Sequence, residues 1–65
     1  MKTLKEAREE RGIKQKSIAD YMGISRQTYA RYEEKQESLS IEQAKAACAF
    51  LGCELDEIFL TKKVN

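Results

Sequence analysis

A chain of 65 residues with no proline, three glycines and many Lys, Glu, Gln, Ala and Leu leaves room for one small all-α domain, with a core that is marginal unless its helices pack well or a partner adds burial. Twelve Lys and Arg against eleven Asp and Glu give a net charge of +1, so whole-chain charge announces no class of partner. Two cysteines and no histidine exclude a tetrahedral zinc site or a Cys–His nucleophile within one chain, and there is neither a membrane-spanning apolar run nor a signal-peptide core, so a cytoplasmic protein without cofactor is expected.

In chain order, Leu4, Ala7, Arg8 and Arg11 share one face of a first helix predicted over Thr3–Arg11, which makes Arg8 an odd residue on an inner face. Gly12 supplies a left-handed cap and Ile13 folds back over it. A second helix then starts near Gln15, although Lys14 before it cannot accept an amide hydrogen bond and so leaves that start poorly specified. Ile18, Ala19 and Met22 form its apolar stripe, Gly23 ends it and Ser25 caps the next helix. Helix, tight turn and helix over residues 15–33 make a helix-turn-helix, with small Ala19 where the two helices cross. In the third helix Tyr29 and Tyr32 are predicted to pack inward, their hydroxyls needing partners, while Gln27, Thr28, Arg31 and in part Arg26 face out.

Residues 34–39 read as a loop. Ser40 with Gln43 three positions on is a capping box, flanked by Leu39 and Ala44 at staple positions. Ala44, Ala47, Cys48 and Leu51 make the inner stripe of a fourth helix that Gly52 stops, and Leu55, Ile58 and Phe59 make a short fifth. Cys48 and Cys53 are both placed as packing thiols. Basic residues cluster at one end, with Lys2, Lys5, Arg8, Arg11, Lys14 and Lys16 facing only Glu6, Glu9 and Glu10, whereas Glu54, Asp56 and Glu57 load the other.

Over REERGIKQKSIADYMGISRQTYARYE and LGCELDEIF the sequence resembles the phage Cro and repressor type of helix-turn-helix domain, the XRE family. The resemblance, which leaves out the first few residues and the TKKVN tail, implies a compact five-helix bundle of the lambda-repressor-like type; the chain reads as one domain over residues 1–65, with a flexible tail expected at about 61–65. It implies double-stranded DNA as partner, with the third helix in the major groove. Arg26, Gln27, Thr28 and Arg31 match the base-contacting positions, and Gln15 matches the residue that holds a phosphate at the start of the second helix. Lys14, Lys16, Ser25, Lys35 and Gln36 are the further phosphate-contacting candidates. Lys35 stands where the family commonly ends the recognition helix with Gly, so either the loop takes another shape or a left-handed Lys is strained there. Arg8 and Glu33 match two positions that pair between the first helix and the end of the third.

One recognition helix covers only a few base pairs, so the resemblance further implies a homodimer on a pseudo-palindromic operator, with a contact near Leu55, Ile58, Leu60 and Val64. The competing arrangement has Leu55, Ile58 and Phe59 closing the monomer core. A transcriptional regulator, in particular a repressor, is the function expected, with no small-molecule ligand. Near-neutral charge keeps a second class open: a protein-interaction module, such as an antirepressor or adaptor, that retains the fold. Catalysis is not expected, because Glu54, Asp56 and Glu57 have no histidine, zinc motif or Gly-rich phosphate loop near them.

Overall fold

The computed structural model describes residues 2–59. These form five helices, α1 Leu4–Glu10, α2 Gln15–Met22, α3 Arg26–Glu34, α4 Ile41–Leu51 and α5 Leu55–Ile58, with a 3-10 turn at Gln36–Ser38 between α3 and α4. The all-α expectation holds, and there is no strand among the described residues.

Helix α1 is one residue shorter at each end than the sequence suggested, because its flanking residues act as caps. Thr3 Oγ1 accepts from the Glu6 amide at 3.0 Å, and the Glu6 carboxylate accepts from the Thr3 amide at 2.9 Å, so two orphan donors are satisfied reciprocally. A third, the Leu4 amide, donates to the Gln36 side-chain oxygen from the turn after α3. At the far end the Ile13 amide donates to the Arg8 carbonyl at 3.2 Å and brings Ile13 back over the core.

The α2–α3 turn is specified by backbone chemistry. Gly23 adopts φ +73 and ψ +30, a region that costs an L side chain about 1–2 kcal/mol. Ser25 then caps α3, its hydroxyl accepting from the Thr28 amide at 3.1 Å. Lys14 at the start of α2 makes no side-chain cap, yet α2 forms from Gln15 onward, held by packing of Ile18 and Ala19. At Lys35 the choice left open by the sequence is resolved in favour of another shape. Its φ is −133, no described residue other than glycine has positive φ, and the chain passes through the 3-10 turn instead.

Leu4, Ala7, Ile18, Ala19, Tyr29, Ala47, Cys48, Leu51 and Ile58 form the buried core, so every helix contributes to it. Tyr29 is fully buried as expected, but Tyr32 is only half-buried and its hydroxyl accepts from Gln43 Nε2 at 3.0 Å. Gln43 thereby links α3 to α4 while its side-chain oxygen closes the capping box on the Ser40 amide at 3.0 Å. Ile58, one of the four residues assigned to a contact with a second chain, is 1% exposed and packs into the core of this chain. Leu55 is half-buried against the same core. Leu60 and Val64, the other two residues of that assignment, lie outside the described residues.

Candidate nucleic-acid interface

The helix-turn-helix is built around one buried ion pair. Arg8 on α1 donates through Nε to Glu33 Oε2 at 2.5 Å and through Nη2 to Oε1 at 3.3 Å, and its Nη1 donates to the Ile13 carbonyl at 2.8 Å. The two side chains are 10% and 4% exposed, so the contact is desolvated and its bidentate geometry sets where the end of α3 sits against α1. Burial alone pushes the Glu33 carboxyl up, but hydrogen bonds from Arg8 and Gln15, the nearby Tyr29 hydroxyl and the Arg8 charge together hold it below its ordinary value of 4.5. Burial first, and the adjacent Glu33 carboxylate second, push the Tyr29 phenol in the opposite direction and keep it neutral.

From this pair a chain of hydrogen bonds runs to the surface. Gln15 Nε2 donates to Glu33 Oε1 at 3.0 Å, and Gln15 Oε1 accepts from Arg26 Nη1 at 3.2 Å. The first residue of α2 and the first residue of α3 are thus tied together, and both are tied to the core carboxylate. No spacing pattern signals this link, since the partners are eleven and eighteen residues apart.

On the outward side of α3, Arg26, Gln27 and Arg31 are exposed and Thr28 is half-exposed. Arg26 is held by Gln15, and Thr28 Oγ1 accepts from the Ser25 hydroxyl at 2.9 Å. Gln27 and Arg31 are free of internal side-chain bonds among the described residues. Arg31, Thr28 and Lys35 line an open cleft with Tyr32, Glu34 and Ser38 at the α3 end.

The residues expected to meet phosphates divide into two groups. Lys14, Lys16 and Lys35 are exposed, and among the described residues their one ion pair is the exposed contact from Lys16 to Asp20 at 3.2 Å. Gln15, Ser25 and Gln36 have their side-chain oxygens committed to Arg26, the Thr28 amide and the Leu4 amide, so Gln36 joins α1 to the turn after α3 as a structural brace that sequence reasoning missed. At the start of α2, where Lys14 is the N-cap residue and Lys16 lies in the first turn, no side chain caps the helix, and its first amides carry the positive end of the helix dipole.

A family model described as Helix-turn-helix matches residues 4–58, which takes in all five helices. The chain belongs to this helix-turn-helix family. Membership places it with DNA-binding transcription regulators of the XRE, Cro-like type, and the α2–α3 unit is the corresponding motif. No curated protein matches the chain. Among the described residues no helix is long and apolar enough to cross a membrane.

Proposed function

We propose that the protein is a sequence-specific double-stranded DNA-binding regulator, acting as a repressor, that reads the major groove with α3. The observation that carries this reading is the outward face of α3, where exposed Gln27 and Arg31 stand free beside an Arg26 already oriented by Gln15. Arg presents a planar fork to the two acceptors of guanine, and Gln matches the acceptor–donor edge of adenine, so the preferred half-site contains both base types. Lys14, Lys16 and Lys35, with the first amides of α2, neutralise phosphates on either side and fix the register. Occupying an operator is enough to exclude other proteins from it, and this is the basis for assigning repression.

The unit on DNA is a homodimer, because a single short helix reads too few base pairs to discriminate an operator from bulk DNA. In this reading Leu55, half-buried on α5, contributes to the contact, and two-fold symmetry sets the recognition helices about 34 Å apart.

Selection of bound duplexes from a random pool, followed by gel shifts across salt concentrations, tests the whole reading. Enriched inverted repeats about one helical turn apart, with two chains bound per site and affinity falling as salt rises, are expected. Enrichment of a single half-site with one chain bound overturns the dimer. Absence of duplex binding even at low salt overturns DNA reading and leaves a protein-interaction role for the fold.

A further inference from the structure

Away from the α2–α3 face, the end of α4 brings two nucleophilic side chains together. Gly52 takes φ +74, and the amides of Gly52 and Cys53 both donate to the Cys48 carbonyl, at 2.8 and 3.1 Å. The second bond is the six-residue closure of a Schellman cap, which folds the residue after the left-handed glycine against the side chain five positions earlier. Here both residues are cysteines. That closure keeps their α-carbons no more than about 7 Å apart, and disulfides span roughly 4.4–6.8 Å.

Both thiols are free, Cys48 buried and Cys53 half-buried at the surface of the cap. Cys48 Sγ lies 3.9 Å from the Glu54 carbonyl, directed at the turn that carries Cys53. The two differ in reactivity. Burial first, then the Cys53 thiol and the Glu57 and Glu54 carboxylates, push the Cys48 thiol up to about 12, so the more accessible Cys53 is the thiol that attacks first.

We propose that Cys48 and Cys53 are a dithiol modification site for low-molecular-weight disulfides such as oxidised glutathione, closing to an intramolecular disulfide across the end of α4. The Cys53 thiolate attacks one sulfur of glutathione disulfide, the glutathione S–S bond breaks, and one glutathione leaves as its thiol. Cys48 then gives up its proton and attacks the Cys53 sulfur of the mixed disulfide, releasing the second glutathione. Two protein thiols are oxidised, one glutathione disulfide is reduced to two thiols, and no other oxidant is consumed. The site is independent of the DNA-reading face, so its failure or success leaves that proposal where it stands.

The test treats the full chain with oxidised glutathione, blocks remaining thiols with iodoacetamide and measures intact mass. A monomer two hydrogen atoms lighter than the reduced chain, unalkylated and returned to the starting mass by dithiothreitol, is expected. Cys48→Ala should stop at a single glutathione adduct on Cys53, and Cys53→Ser should not react. If Cys48→Ala does not fold, peptide mapping of the oxidised natural chain decides alone, by recovering or failing to recover a peptide crosslinked between positions 48 and 53. A persistent glutathione adduct on the natural chain, a disulfide between two chains, or two thiols that remain fully alkylatable would overturn the proposal.

Discussion

Breaking the Arg8–Glu33 pair from one side should cost far more than removing it whole. Arg8→Met leaves the Glu33 carboxylate, 4% exposed, with the Gln15 amide at 3.0 Å as its remaining partner of good geometry. Glu33→Leu leaves the Arg8 guanidinium, 10% exposed, with the Ile13 carbonyl and a distant, exposed Glu9 carboxylate at 3.9 Å. A stranded buried charge costs about 3–5 kcal/mol. A domain of this size has a total stability of about 3–10 kcal/mol, so each single variant should be largely unfolded or near its midpoint without denaturant. The two losses respond differently to pH. The stranded carboxylate escapes its penalty by taking up a proton, so Arg8→Met should recover stability, by up to about 1.4 kcal/mol per pH unit, as pH falls toward the carboxyl range. Arginine has no such escape, and Glu33→Leu should not recover. The double variant Arg8→Met/Glu33→Leu buries two apolar side chains of similar volume and should lie within about 1–2 kcal/mol of the natural chain. Urea denaturation followed by helix circular dichroism on all four proteins gives the coupling energy. Additive single losses, leaving no coupling, would refute the reasoning even though the distances are short.

On a selected operator, Gln27→Ala and Arg31→Ala should each lose about 1–3 kcal/mol while random duplex binding barely changes; equal losses on both DNAs in a gel shift would make them phosphate contacts. Lys16→Ala should instead weaken both DNAs alike and reduce the salt slope by about one, and an unchanged slope would remove it from the phosphate set. Gly23→Ala should cost about 1–2 kcal/mol in urea denaturation from backbone strain alone, because an added Cβ meets nothing within 4 Å; a synthetic chain with D-alanine at 23 should suffer no such loss, and equal losses for both would refute the strain account. Glu33 titrates below its ordinary 4.5 when folded, so its contribution is complete above that value and is lost as pH falls through the folded value; Glu33→Gln should flatten the acid limb of stability against pH, and parallel limbs would contradict it.

The parts of the fold that were legible in the sequence are those fixed within a few residues. Ser25 and Ser40 could be recognised as caps because the amides they satisfy are three residues ahead, and Gly23 because a left-handed turn leaves few alternatives. Apolar spacing likewise placed nearly all of the core. Lys35 shows where local rules stop, since a residue costly in the left-handed region signals that something changes, while only the packing of the 3-10 turn decides what. Ile58 marks another limit. Its spacing with Leu55 indicates a buried face but does not say whether this chain or a second one covers it, and the core of this chain does. Gln36 was the least legible, because its amide partner on Leu4 is thirty-two residues away and a polar residue in a loop carries no pattern.

The same distance effect separates what a resemblance supplies from what geometry adds at the reading face. Residue types at the start of α2 and along α3 are properties of positions, whereas the route from Ile13 through Arg8, Glu33 and Gln15 to Arg26 is a property of their arrangement. Its energetic meaning follows from where each bond sits. The inner bonds are desolvated and charge-assisted, so they hold Glu33 and Gln15 in one geometry at little entropic cost beyond folding itself. The outermost bond, from Arg26 to Gln15, is 3.2 Å long and exposed, and water competes for both partners. An arginine fixed outright could not shift to meet a base edge, and one left free would lose up to about 2 kcal/mol of rotamer freedom on binding. A weak bond anchored to a rigid one lies between these limits. Under the proposed function, Arg26 is aimed before DNA arrives and can exchange the Gln15 oxygen for a guanine or phosphate acceptor, whereas Gln27 and Arg31 bear their ordering cost on the operator and so depend most on a correct base beneath them.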